Sequence, residues 1–130
     1  MNTSKRIVLT GLMLLLASLI QAQVHQVGHI QLSLVDSSRS NRVINTDVYY
    51  PATTAGESTP FVTGTFPLIV FGHGFVMTWS AYACYWDSLV PYGYIMAFPT
   101  TEDGFSPDHE SYGLDLAFVN RNLKQQSGNS

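Results

Sequence analysis

The sequence predicts an α/β domain in which an antiparallel hairpin is followed by a strand, a helix, a strand and a helix. Residues 30–35 and 44–50 alternate side chains as half-buried strands do, on either side of a polar turn. Two continuous apolar runs, 66–71 and 94–98, are typical of strands that are covered on both faces. A segment with apolar residues at helical spacing follows each run. Such alternation requires crossover connections, so we expect a mostly parallel sheet that is incomplete after its last helix.

The N-terminus has the pattern of a secretory signal peptide. Two basic residues precede the apolar run 7–20, and Ala22 is a small residue at the expected cleavage edge. The run is shorter than the roughly 20 residues that cross a bilayer. We therefore predict a signal peptide over 1–22, a partial domain over 23–130, and a secreted or periplasmic location. An uncleaved anchor helix is the alternative.

Composition excludes several classes of protein. The chain has six Lys and Arg residues, nine Asp and Glu residues, and a net charge of −3. Nucleic-acid binding needs clustered basic side chains that contact phosphates, and the predicted mature domain has no such cluster. A single cysteine allows neither an internal disulfide nor a multi-cysteine zinc site. We interpret Cys84 as a small buried apolar residue, and we expect no cofactor, no metal, and no membrane contact after signal cleavage.

Two alternating strands form the predicted hairpin. The polar segment 36–41 between them is rich in residues that favour turns. A loop of small and polar residues, 51–65, follows the second strand. We expect His25 and His29, at the start of the first strand, to face solvent. The residues predicted to line the core-facing side are Ile30, Leu32, Leu34, Ile44, Thr46, Val48 and Tyr50.

Two amphipathic helices are predicted in the second half of the chain. Pro91 and Gly93 end the first. Asp108 is the expected N-cap of the second. We interpret His109 and Glu110 as its first turn rather than as metal ligands, because adjacent side chains on a helix point in different directions. The apolar stripes are Tyr82, Tyr85, Trp86, Leu89 and Val90 in the first helix, and Tyr112, Leu116, Val119 and Leu123 in the second.

Several segments resemble a known family when they are taken in order. They are the strand-to-turn segment 70–75 (VFGHGF), the segment 89–99 and the helix start 111–118. This series resembles the N-terminal part of secreted α/β-hydrolases of the cutinase, polyester hydrolase and chlorophyllase type. The hairpin end 47–51 is similar to the opening strands of that family. The resemblance covers roughly residues 27–124.

The resemblance implies one part of an acyl-transfer site. In that family an oxyanion hole donates backbone N–H groups to the negative oxygen of the reaction intermediate. The loop that supplies the first donor matches His73, Gly74 and Phe75, with the Phe75 N–H as the implied donor. The side chains of Phe75, Met77 and Trp79 would then contact the substrate. The alternative is a plain strand-to-helix turn in which His73 is a structural hydrogen-bonding residue.

The nucleophile that the family uses is missing from the sequence. No Gly-x-Ser-x-Gly occurs, and the nearest string, 56–60, lacks the final glycine. The strand that leads into the nucleophile would begin beyond Ser130. We therefore expect an N-terminal fragment of a secreted carboxylic-ester hydrolase that carries the oxyanion-hole loop, lacks the Ser-His-Asp triad and is inactive alone. The full-length protein would act on a small-molecule or polymer ester. The alternatives are a non-catalytic exported binding module and a fragment without function.

Overall fold

A five-stranded sheet is the centre of the structure, a computed structural model that describes residues 24–127. The predicted signal peptide, 1–22, lies outside the described residues. The strand order is β3-β1-β2-β5-β4. The strands are β1 (Gln26–Asp36), β2 (Arg42–Ala52), β3 (Gly56–Glu57), β4 (Leu68–Val70) and β5 (Ile95–Pro99), and the helices are α1 (Ala83–Leu89) and α2 (His109–Ser127).

The predicted hairpin is confirmed. β1 and β2 pair antiparallel along their whole length, from Gln26 opposite Ala52 to Asp36 opposite Arg42. A short 3₁₀ turn joins them, and the Asp36 side chain accepts a hydrogen bond from the N–H of Ser38 at 3.1 Å. The residues predicted to face the core on these two strands are all buried or half-buried.

The sheet is mixed, and the expectation of a mostly parallel sheet is wrong for the described residues. β2 pairs antiparallel with both β1 and β5. Parallel pairing is limited to β4 with β5 and to the two-residue contact of β3 with β1. The reason is that the long hairpin supplies most of the pairing, whereas residues 24–127 contain one strand–helix–strand crossover, β4–α1–β5.

The sheet separates two apolar cores. Side chains alternate across a strand, so neighbouring residues of β5 enter different cores: Ala97 lies in one, and Met96 and Phe98 lie in the other. α2 covers the first core with the fully buried Val119. α1 covers the second with Trp86. The helical stripes predicted from sequence therefore face the sheet from opposite sides, except that Tyr85 is 46% exposed.

The segment predicted as the loop 51–65 contains more regular structure than its composition indicates. β2 continues to Ala52, and Gly56–Glu57 pairs with β1 as the edge strand β3. The Tyr50 hydroxyl donates a hydrogen bond to the carbonyl of Thr59 at 2.8 Å. The ring of Phe61 stacks on that of Tyr50 with centroids 3.7 Å apart. Contacts to the hairpin thus order a segment that has few apolar residues of its own.

Gly28 makes room for the Tyr50 ring, and replacing it is expected to destabilise the protein. A Cβ at this position would lie 2.4 Å from Tyr50 Cε2 and 2.8 Å from Ala52 Cβ. We expect Gly28→Ala to lower the free energy of unfolding by about 1–3 kcal/mol, measured by urea denaturation. Gly104→Ala is the matched control, because a Cβ there meets nothing within 4 Å. Equal stability of the two variants would contradict the close packing at Gly28.

The interpretation of Cys84 as a buried residue is wrong, because its side chain is exposed. Cys84 lies two residues before Trp86, which places it on the opposite side of the helix from the residue that faces the core.

Neither helix between residues 24 and 127 combines the length and the apolar composition needed to cross a bilayer.

Candidate functional site

The segment that matches the implied oxyanion loop leaves the sheet at the carboxyl end of β4. The N–H of Phe71 donates to the carbonyl of Ala97 at 2.8 Å, so pairing with β5 continues one residue beyond the strand. The chain then turns through residues 72–75. Because β4 and β5 are parallel, their carboxyl ends share one edge, and this is where α/β sheets commonly place their ligands.

Two tyrosine hydroxyls hold this turn by its backbone. The N–H of His73 donates to the Tyr112 hydroxyl at 2.8 Å, and the N–H of Gly74 donates to the Tyr82 hydroxyl at 2.7 Å. Burial raises the pKa of Tyr112 to about 12, although the hydrogen bond from His73 opposes the rise. Tyr112 therefore remains a neutral phenol at physiological pH. Both tyrosines were predicted only as apolar stripe residues.

The backbone N–H of Phe75 differs from those of His73 and Gly74. Among residues 24–127, no acceptor receives the N–H of Phe75. The turn is closed behind it by a hydrogen bond from the N–H of Met77 to the carbonyl of Gly74 at 3.2 Å. Val76 lies in the left-handed region at φ 52°, which is strained for a β-branched residue. A Cβ on Gly74 would lie 2.9 Å from the Tyr82 hydroxyl, so glycine permits the close approach of that phenol.

The ring of His73 fastens the turn to the loop that follows β5. Its Nε2 lies 2.8 Å from the carbonyl of Thr101, and its Nδ1 lies 3.0 Å from the carbonyl of Gly74. The imidazole also packs against the ring of Tyr112 with centroids 4.7 Å apart. These contacts join the turn to the loop after β5 and to α2.

The three predicted substrate-contacting side chains have different surroundings. Phe75 and Met77 are exposed by 64% and 41% at the carboxyl edge of the sheet. Trp79 is half-buried, packs on the core beneath α1, and donates its indole N–H to the Tyr49 hydroxyl at 3.2 Å. Phe105, in the loop after β5, is 86% exposed and was not predicted.

A buried carboxylate supports the loop that holds His73. Asp115 of α2 is fully buried and accepts hydrogen bonds from Arg42 Nη2 at 2.8 Å and from Thr101 Oγ1 at 2.6 Å. Its other oxygen lies 2.6 Å from Nη2 of Arg39. Burial by itself would raise the pKa of Asp115, but Arg42, Thr101 and Arg39 hold it below its ordinary value. The network joins the hairpin, the loop after β5 and α2.

The predicted cap of the second helix is confirmed. Asp108 accepts hydrogen bonds from the N–H groups of Glu110 at 3.1 Å and Ser111 at 3.3 Å, as an N-cap does.

Within the part of the chain that the structure describes, no group of three His, Cys, Asp or Glu side chains is arranged to hold a metal ion.

An apolar groove of about 850 Å³ lies on the face of the sheet that α2 covers. It is separate from the turn at 72–75 and contains none of the predicted site residues. Sheet residues form its floor, the segment 61–68 forms one wall, and the last turns of α2 form the other.

Comparison with known proteins gives a match of fold. No family model matches the chain, and no curated protein matches its sequence. Among solved structures, a ferulic acid esterase from Streptomyces cinnamoneus matches with a TM-score of 0.51 and 18% identity over 60% of this chain. The match covers 34% of that esterase, so the chain spans about a third of its length. The similarity supports an esterase-like fold for the matched part of the chain.

Proposed function

We propose that this chain is the N-terminal part of a secreted carboxylic-ester hydrolase of the α/β-hydrolase type, related to cutinases and polyester hydrolases. In this proposal the turn at 72–75 supplies one half of the oxyanion hole. The sequence resemblance and the fold shared with a ferulic acid esterase support it. The substrate would be a small-molecule or polymer ester.

The observation that carries the proposal is the difference between three successive amides. The N–H groups of His73 and Gly74 are held by tyrosine hydroxyls, whereas that of Phe75 has no acceptor among the described residues. A donor that is fixed in position and unpaired is what a developing oxyanion requires, because no reorganisation is then needed during the reaction. The rigid anchoring of the two preceding amides would keep the Phe75 donor in place.

The chemistry assigned to this chain is limited to electrostatic stabilisation. When a serine attacks an ester carbonyl, the carbonyl oxygen becomes negative, and the Phe75 N–H would donate a hydrogen bond to it. The serine, the histidine that accepts its proton and the acid that orients the histidine would come from residues beyond 130, because the sequence lacks Gly-x-Ser-x-Gly. The exposed Phe75 and Met77 side chains would contact the acyl or aromatic part of the substrate.

The 130-residue chain is expected to show no hydrolysis of p-nitrophenyl acetate above the buffer rate. The coding sequence past Ser130 is expected to encode Gly-x-Ser-x-Gly after an apolar strand.

In the longer protein, Phe75→Pro should lower kcat by about 10²–10³-fold, because proline has no N–H. Phe75 has no positive φ, so proline does not conflict with a left-handed backbone at this position.

Phe75→Ala is the matched control for that experiment, since it removes the ring and keeps the N–H. It should change KM more than kcat. Equal loss of kcat in Phe75→Pro and Phe75→Ala would contradict the assignment of the amide. Turnover by the 130-residue chain would contradict the absence of a nucleophile.

A non-catalytic exported binding module is the second candidate. The exposed apolar side chains of Phe75, Met77 and Phe105 at one edge of the sheet favour it. A stop codon directly after Ser130 would support this candidate over the hydrolase.

A further inference from the structure

His29, which was expected to face solvent, lies between two carboxylates from two neighbouring strands. Its Nε2 is 2.7 Å from Oδ1 of Asp47 in β2, and its Nδ1 makes a close contact with Oε1 of Glu57 in β3. The His29 side chain is 20% exposed, that of Asp47 is 2% exposed and that of Glu57 is 74% exposed. One partner is therefore buried and the other is in water.

With both carboxylates ionised, a positively charged ring satisfies this geometry. A neutral imidazole has one N–H, whereas both ring nitrogens of His29 face carboxylate oxygens, which only accept hydrogen bonds. Asp47 gives a second reason. Its Oδ2 is buried and has no hydrogen-bond partner among the described residues, so the charge of this carboxylate is balanced through His29.

We propose that His29 is a proton-dependent latch that holds the edge strand β3 against β1. β3 has two residues, Gly56 and Glu57, and its pairing with β1 is short. The N–H of Ser58 donates to the carbonyl of His29 at 2.8 Å, which places this backbone contact beside the side-chain pair. The inference does not depend on the proposed esterase activity.

Loss of the proton would release one specific partner. The single N–H of the neutral ring would stay with Asp47, because an unpaired buried carboxylate costs far more than a solvated one. Nδ1 would then present a lone pair to Glu57, and the exposed carboxylate would turn to water. β3 would lose its side-chain contact with β1, and the segment that continues into Phe61, next to the apolar groove, would open more often.

The groups around the ring favour its charged form. Asp47 and Glu57 are negative, and the ring stacks on Tyr49 with centroids 4.5 Å apart. Asp87 of α1, the next acidic group on this side of the sheet, acts on the Tyr49 hydroxyl and not on the His29 ring. Burial lowers the pKa of His29, but the hydrogen bonds and charges of Glu57 and Asp47 outweigh it and raise the pKa above 6.5.

The direction of the pH effect follows from this raised pKa. A histidine whose pKa is higher in the closed state stabilises that state at low pH, and the stabilisation is lost as pH rises through the closed-state value. The latch is therefore closed in mildly acidic solution and opens above the pKa of His29. Each pKa unit between the closed and open states corresponds to a tenfold change in the opening equilibrium.

The test follows the His29 ring and the Ser58 amide by NMR across pH 5 to 9 in the full chain. We expect the ring to titrate above 6.5, and the Ser58 amide to lose protection from hydrogen exchange over the same pH range, after correction for intrinsic exchange. Glu57→Gln should lower the pKa of His29 and reduce the pH dependence of Ser58 protection. Glu57 is largely exposed, so this variant is expected to fold.

Glu110→Gln is the control, because it removes an exposed glutamate on α2, away from β3. It should leave both readouts unchanged. Titration of His29 at or below 6.5 would overturn the proposal. So would protection of Ser58 that is independent of pH, or that responds equally in the wild-type chain and in Glu57→Gln.

Discussion

Replacing Asp115 by alanine is expected to lower the free energy of unfolding by about 3 kcal/mol. The substitution removes the fully buried carboxylate that Arg42, Arg39 and Thr101 share. Breaking a buried ion pair by removing one partner typically costs about 3–5 kcal/mol. The lower end applies because the arginine side chains are 21% and 30% exposed and can be rehydrated. Urea denaturation at neutral pH measures the effect.

Asp103→Ala is the matched control, since Asp103 is an exposed aspartate in the loop that the network supports. Its effect should stay within about 0.5 kcal/mol.

The pH dependence of the unfolding free energy provides a second check on Asp115. The pKa of Asp115 is lowered, so its stabilisation is present at neutral pH and is lost as pH falls through that value. Asp115→Asn should therefore lose part of the acid sensitivity of the wild-type chain, and an unchanged acid transition would contradict the role of this carboxylate.

Replacing Trp86 by alanine is expected to cost about 3–5 kcal/mol, which is typical for a buried aromatic residue. Trp86 is 8% exposed and is the main side chain by which α1 contacts the sheet. Its ring stacks on Tyr49 with centroids 4.0 Å apart and meets Phe98 edge-on at 5.3 Å. The cavity left by the substitution closes only in part, because both neighbouring rings belong to the sheet. The loss of unfolding free energy is measured in urea.

Tyr92→Ala is the control for this second variant. Tyr92 follows α1, is 65% exposed and lies outside both cores. Its replacement should change stability by no more than about 0.5 kcal/mol. A similar loss in the two variants would mean that general aromatic content, and not the packing at Trp86, stabilises this layer.

The features predicted well from sequence are those that depend on near neighbours. Alternation along the hairpin identifies its buried face because strand side chains alternate regardless of what covers them. The cap at Asp108 follows from side-chain groups within three residues. The stripe containing Val119 follows from helical spacing. In each case the physical cause lies within one element.

The features missed are those that join distant segments. Arg42 and Asp115 are 73 positions apart, and no local pattern indicates that they meet. His29 and Glu57 are 28 positions apart and meet only because β3 returns to the edge of β1. The roles of Tyr82 and Tyr112 were missed for another reason. Periodicity reports the side of a helix that an aromatic ring faces, but it does not report what the hydroxyl at the end of the ring will bind.

The two hydroxyls that hold the turn at 72–75 come from opposite faces of the sheet. Tyr82 precedes α1 and packs with the core on one face, whereas Tyr112 belongs to α2 on the other. A sliding movement of either helix would carry one oxygen away from its amide and tilt the peptide plane beside it. The direction of the Phe75 N–H therefore depends on the helices on both faces of the sheet. Mutations that loosen either helix should misalign this N–H even when they lie far from the edge of the sheet.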